Sequence, residues 1–250
     1  MSDIKSTAKH YDERAKVGDS IEAAGQWYPR EVATQICDEI CNKINLRYED
    51  RVLEVGCGSG VLGAWIKDRC SFYVGIDLSS NMMNLFTNDS KSSPPNLILS
   101  SAEKLPIISN LFTVVILNSV SMYFPSDNYF EKVLMEMKSV TTQKGRIFLG
   151  ENVISSRLYY EYTWFGNLSP LKKRIAKPYI RMRIWIAQKF PRFAGKWKNV
   201  YYCISLDTIR KCFSTKTDIN MSDAAGYSIR KRIYGNDAKG NHRIDVLINL

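Results

Sequence analysis

The run Val52-Leu-Glu-Val-Gly-Cys-Gly-Ser-Gly60 constrains the fold more than any other stretch of the chain. A short apolar strand pattern, Arg51 to Val55, stops at alternating glycines and gives way to a helical pattern from Val61 to Arg69. Residues without a Cβ let the backbone turn this sharply and let a ligand lie against the main chain, while the next helix offers its free N–H groups to the same place. In an open α/β sheet that place, outside the carboxyl end of the first strand, is the expected ligand crevice.

The remaining patterns repeat the strand–helix alternation. Pro29 opens a helix with Val32, Ile36, Ile40 and Ile44 at four-residue spacing. Phe72 to Ile76 reads as a second strand ending at Asp77, followed by a helix over Ser80 to Asn88 and the turn-rich SKSSPPN. Asn96 to Leu99 and Leu111 to Leu117 are further strands, Asp127 to Val140 a helix with Phe130, Val133, Leu134 and Met137 on one side, and Gly145 to Leu149 a fifth strand. Such alternation implies right-handed crossovers and a parallel sheet covered on both faces. Ser205 or Asp207 caps a later helix. Tyr227 to Tyr234 and Arg243 to Ile248, joined by GNDAKGN, predict a closing antiparallel hairpin. The expected fold class is therefore α/β: a Rossmann-like doubly wound sheet of seven strands, mostly parallel with a C-terminal antiparallel hairpin, plus a helical basic insertion. Its parts are an N-terminal helical cap over 1–47, a core over 48–151 and 203–250, and an insertion over 152–202.

The polar N-terminal sequence MSDIKSTAKHYDERAK resembles no secretory signal, and no window reaches the ~20 apolar residues of a spanning helix, so a cytoplasmic protein, peripheral to a membrane at most, is expected. Six cysteines without a CxxC pair, and two histidines, give no zinc-ligand spacing, and no metal is expected.

Two cofactor classes use such a glycine loop. A dinucleotide seats its pyrophosphate on the helix N-terminus, and Gly58-x-Gly60-x-x-Gly63 fits that spacing. S-adenosylmethionine has a sulfonium, an ammonium and a carboxylate instead, and the acid Glu54 beside the loop suits the cationic parts. Asp77 can accept both ribose hydroxyls of either cofactor, with Leu78 on the adenine. After the third strand comes Ser100-Ser-Ala-Glu-Lys-Leu-Pro106. Joined to Glu54, Gly56, Gly58, Gly60 and Asp77, the set Ala102, Glu103, Leu105 and Pro106 resembles the class I S-adenosylmethionine-dependent methyltransferases, in particular the type 11 and ubiquinone/menaquinone-type group, over residues 48–150. The resemblance implies S-adenosyl-L-methionine as cofactor. It implies that Gly56, Cys57 and Gly58 line the methionine part, that Asp77 holds the ribose, and that Ala102 and Glu103 flank the adenine. Asn118, Ser119 and Val120 would lie under the sulfonium, with Gly60, Leu78 and Met82 in the same pocket. Tyr11 resembles the family's N-terminal tyrosine, which closes over the cofactor.

Methyl transfer needs nucleophile, methyl and sulfur in line, and a base for any nucleophile that carries a proton. The candidates are His10, Tyr123 and Glu151. The net charge of +10 is localised: residues 162–206 hold ten cations and no acid, and removing those ten from the 35 Lys and Arg leaves 25, equal to the 25 Asp and Glu. These cations alternate with aromatic and apolar residues, so the segment is expected to be a lid for an anionic small-molecule, sugar or glycan/lipid-linked acceptor, methylated at oxygen. A peripheral contact of 171–198 with an anionic membrane ranks second, and a nucleic-acid surface third. The alternatives from other classes are an NAD(P)-dependent oxidoreductase and a non-catalytic binding protein on the same fold.

Overall fold

A computed structural model of the chain describes residues 4–25, 29–90, 93–153, 178–179, 182, 202–213, 217–234 and 243–250. The strands β1 (Arg51–Val55), β2 (Phe72–Asp77), β3 (Asn96–Leu99), β4 (Phe112–Asn118), β5 (Thr141–Val153), β6 (Asp218–Asp223) and β7 (Arg243–Asn249) form one sheet in the order β3-β2-β1-β4-β5-β7-β6. Neighbours among β1 to β5 are parallel, and β7 runs antiparallel to both β5 and β6. The order reverses between β1 and β4, which opens the crevice at their carboxyl ends.

The period of two along a strand explains the two-layer core. In β4, Val115 and Leu117 join one apolar cluster while Val114 and Ile116 join the other. The first cluster is completed by Phe130, Val133, Leu134 and Met137 of α6 (Asp127–Val140), the second by Val32, Ile36 and Ile40 of α3 (Arg30–Lys43). Of the other crossovers, α4 is confined to Gly63–Ile66, shorter than its pattern, and α5 spans Ser80–Asp89. Ahead of these lie α1 (Ile4–Arg14) and α2 (Ser20–Ala23), tied together where Arg14 donates to the carbonyls of Ala23 at 2.8 Å and Glu22 at 2.5 Å. Among the described residues no helix is long and apolar enough to cross a membrane.

The C-terminal hairpin is corrected. The run from Ala225 to Tyr234 is a helix, α8, and β7 pairs instead with the polar edge strand β6. Two carboxylates decide this. Asp245 Oδ2 accepts from the Ala225 N–H and Glu151 Oε1 from the Gly226 N–H, both at 2.8 Å, so the first turn of α8 is capped by acids where its dipole favours them. Ala224, Ala225 and Ile229 are then buried, with α8 against α3. Five of the six residues of β6 are exposed, which hides it from a hydrophobic-alternation reading. Ser205 caps α7 (Leu206–Cys212) through its hydroxyl, which accepts from the Thr208 N–H. The turn GNDAKGN, and nearly all of the insertion over 152–202, lie outside the described residues.

Asp245 also takes Lys43 Nζ at 2.8 Å and the Glu151 N–H at 2.8 Å. Asp245→Ala leaves these donors buried without their acceptor. It is expected to cost about 3–5 kcal/mol in urea unfolding.

Candidate active site

The glycine loop folds because each of its glycines occupies the left-handed region: Gly56 at φ 80°, Gly58 at φ 53° and Gly60 at φ 81°. A Cβ at Gly60 would stand 2.1 Å from the Phe86 ring, and one at Gly56 2.3 Å from Val120. Gly60 therefore packs the loop onto α5 and does not line the pocket, contrary to expectation.

A carboxylate holds the loop from the next strand. Asp77 Oδ2 accepts from the Gly58 N–H and its Oδ1 from the Ser79 N–H, both at 2.8 Å. Burial raises the Asp77 carboxyl above its ordinary range, against the opposing pull of those N–H groups. Beneath the loop Glu54 is 3% exposed and accepts from the Tyr73 hydroxyl at 2.6 Å. Burial pushes its pKa up to about 8, the Tyr73 hydrogen bond opposing and the nearby Asp77 charge adding.

The pocket lies over the carboxyl ends of β1, β2 and β4. Of the residues expected to hold the cofactor, it brings together Tyr11, Glu54, Gly56, Cys57, Gly58, Asp77, Leu78, Met82, Ala102, Asn118, Ser119 and Val120. Tyr123 also lines it, with its ring edge-on to Tyr11 at 5.5 Å between centroids. Three expectations are corrected. Glu103 lies outside the lining, on the turn where its N–H donates to Ser101 Oγ at 3.4 Å. His10 is exposed on the outer face of α1, its ring against the back of Tyr11. Glu151 is buried behind β4, where its carboxylate caps α8 and pairs with Arg243 at 3.2 Å, so it has no free face toward the crevice.

Sequence reasoning missed two walls. Ile4, Thr7 and Ala8 of α1 roof the pocket, and Ala33, Ile36, Cys37 and Ile40 of α3 close one side. The four-residue apolar repeat of α3 was legible, but the same face serves both core and pocket. The roof is latched by Asp12, whose carboxylate accepts from the Ser79 hydroxyl at 2.6 Å and the Asn81 N–H at 3.3 Å. The HYDERA sequence gives no sign of that partner.

The lining suits a sulfonium nucleoside. Among the described residues it contains two acids, Glu54 and Asp77, and no Lys, Arg or His. A cationic ligand gains from the Asp77 carboxylate there. The Gly58 N–H, which a pyrophosphate would need, already serves Asp77. Asp77 keeps lone pairs for ribose hydroxyls, and Leu78, Met82 and Ala102 give the apolar surface an adenine requires.

Comparison with known proteins gives the same direction. Residues 53–149 match the model of a methyltransferase-domain family. A segment of 105 residues is 32% identical to a probable non-canonical nonribosomal peptide synthetase, CymA, of Salinispora arenicola, covering 40% of this chain and 1% of that protein. The chain thus spans a very small part of that relative's length. Among solved structures, phosphoethanolamine N-methyltransferase 1 of Haemonchus contortus, in complex with phosphoethanolamine and S-adenosylhomocysteine, superposes with a TM-score of 0.70 at 12% identity, over 98% of this chain and 48% of that one. Magnesium protoporphyrin IX methyltransferase of Synechocystis PCC 6803 does so with a TM-score of 0.59 at 14% identity, over 100% of both chains.

Because Glu54 holds its proton more tightly folded than unfolded, wild-type stability falls as pH rises from about 4.5 to about 8. Glu54→Gln keeps an acceptor for the Tyr73 hydroxyl and removes that slope. The variant is expected to gain on the wild type between pH 5 and pH 9, read from urea midpoints at the two pH values.

Proposed function

We propose that the protein is a class I S-adenosylmethionine-dependent methyltransferase, a reading supported by the match of residues 53–149 to a methyltransferase-domain family, and that it moves the cofactor's sulfonium methyl to an oxygen that is already ionised on a small-molecule, sugar or glycan/lipid-linked acceptor. The observation that carries this reading is the lining itself. Among the described residues it offers Glu54 and Asp77 as its only carboxylates, no histidine, and both acids are engaged by the loop and by Tyr73. An alcohol would need a base to take its proton; a carboxylate or acidic phenol would not.

The geometry supports a division of labour. The sulfonium carries a methyl group activated for attack. Asp77 holds the ribose and keeps the loop closed; Glu54, which keeps its proton up to about pH 8, supports the loop from beneath through Tyr73. Tyr11 and the apolar face of α1 exclude water, and Tyr123 borders the acceptor side. Alignment of this kind can supply ~7–11 kcal/mol of the barrier. The ten cations of residues 162–206 offer a counter-charge for an anionic acceptor, or for an anionic membrane that presents one through 171–198; an RNA or DNA acceptor ranks below both. The matches to peptide synthetases favour a second reading, methylation of a nitrogen on an amino-acid-derived acceptor. That similarity covers 40% of this chain and 1% of the synthetase.

Titration calorimetry is expected to show saturable S-adenosylhomocysteine binding and none of NADH. Asp77→Ala should weaken S-adenosylhomocysteine at least tenfold, the loss of hydrogen bonds to a charged group being worth about 1.5–3 kcal/mol each. Tight NADH binding in its place would sink the donor assignment. With methyl-labelled cofactor, label is expected on carboxylates or acidic phenols, at a rate that rises with pH to a plateau above the acceptor's own pKa. Label confined to amines would select the nitrogen reading.

A further inference from the structure

At the carboxyl ends of β4 and β5 two neighbouring residues other than glycine adopt left-handed backbone, Ser119 at φ 59° and Glu151 at φ 56°. Backbone of this kind persists where the surroundings over-determine it, and it gathers at functional sites. Here the surroundings are unusually complete. The Ser119 N–H donates to the Gly150 carbonyl at 3.0 Å. The Glu151 N–H donates to Asp245 Oδ1 at 2.8 Å, and the Glu151 carboxylate takes the Gly226 N–H and Arg243. Lys43 from α3 neutralises Asp245. Between Leu149 and Asn152 the pairing of β5 with β7 shifts register, so Gly150 and Glu151 form a bulge fastened by buried charges.

What the bulge supports is Asn118, which pairs in register with Gly150. The Asn118 side chain lies across Gly150: a Cβ there would be 2.1 Å from Oδ1. Asn118 Oδ1 is buried and has no hydrogen-bond partner among the described residues. Facing the Gly150 Cα, it has at most a weak C–H contact to satisfy it. The other end of the amide is Nδ2, a double donor, on a residue that lines the pocket.

We propose that Asn118 orients the methyl acceptor, its Nδ2 donating to a lone pair of the acceptor's ionised oxygen group, with Gly150 and the Glu151–Asp245 bulge as positioning residues. The proposal rests on the ionised-oxygen reading above and narrows it: a donor at this point favours a group rich in lone pairs, such as a carboxylate, and disfavours a protonated amine. One carboxylate oxygen is held by Nδ2 while the other attacks. The new O–CH3 bond forms as the S–CH3 bond breaks, the carboxylate's negative charge and the sulfonium's positive charge vanish together, and no proton moves.

Benzoate titrated into the S-adenosylhomocysteine-saturated protein tests this without knowledge of the natural acceptor. Saturable benzoate binding is expected in the wild type, ~10-fold weaker in Asn118→Ala, with any fall in S-adenosylhomocysteine affinity smaller than that. Gly150→Ala, which displaces the amide, should weaken benzoate in the same direction. Retained S-adenosylhomocysteine binding shows that each variant is folded. The proposal is overturned by equal benzoate affinity in wild type and Asn118→Ala, by absence of saturable benzoate binding in the wild type, or by an equal fall in S-adenosylhomocysteine affinity, which would assign the amide to the cofactor. Failure of the ionised-oxygen reading shows separately, as label transferred only to amines.

Discussion

The Asp77 carboxylate is the joint on which the rest depends. One of its oxygens holds the glycine loop after β1 and the other holds the first turn leading into α5. Two successive crossovers, β1 to β2 and β2 to β3, are thereby fixed to each other through a single side chain. The cost is a buried acid, and it is offset by N–H groups that point at it and favour its charged form. A loop of three left-handed glycines would otherwise have many backbone conformations open to it. Pinned in this way, it presents a preformed surface to a ligand, which spares the ordering cost at binding.

The same turn is also where the roof is fastened. Ser79 caps α5 by accepting from the Met82 N–H, and the same hydroxyl donates to Asp12 of α1. Loop anchor, helix cap and roof latch therefore lie on Asp77 and Ser79, two positions apart. Ile4 and Tyr11 of α1 lay apolar surface over the crevice, which strengthens the field of the Asp77 carboxylate by excluding water. The electrostatic character of the pocket is accordingly a property of the closed arrangement and not of the strand ends alone.

A second charged assembly lies on the opposite side of β4. Lys43, Glu151, Arg243 and Asp245 come from α3, β5 and β7, and they order the first turn of α8 and the bulge in β5. Burial and the neighbouring Glu151 push the Asp245 pKa up to about 6, with Lys43 opposing. Buried networks of this kind contribute geometry more than net stability. In this fold the geometry they contribute is that of the strand ends beside the cofactor crevice.

Five parallel strands, the helices of the doubly wound core and the acid-flanked glycine loop could be read from the sequence, because each depends on spacing within a short window: period two in β4, the four-residue repeat of α3, glycines at alternate positions. The cofactor class followed from three separated motifs that the parallel sheet is bound to bring to one edge. Tertiary structure alone decided the rest. The segment Ala225 to Tyr234 has the composition of a strand and became a helix because carboxylates from β5 and β7 cap it, and β6 is a strand because β7 offers an edge. Glu151 and His10 looked like bases and face elsewhere, while the unpaired Asn118 Oδ1 emerged only once β5 was in place behind it. Periodicity is a local property and survives in one dimension; which hydrogen-bond partner a side chain finds depends on distant residues, 20 positions apart for Ala225 and Asp245 and 75 for Gly226 and Glu151, and no periodic window contains it.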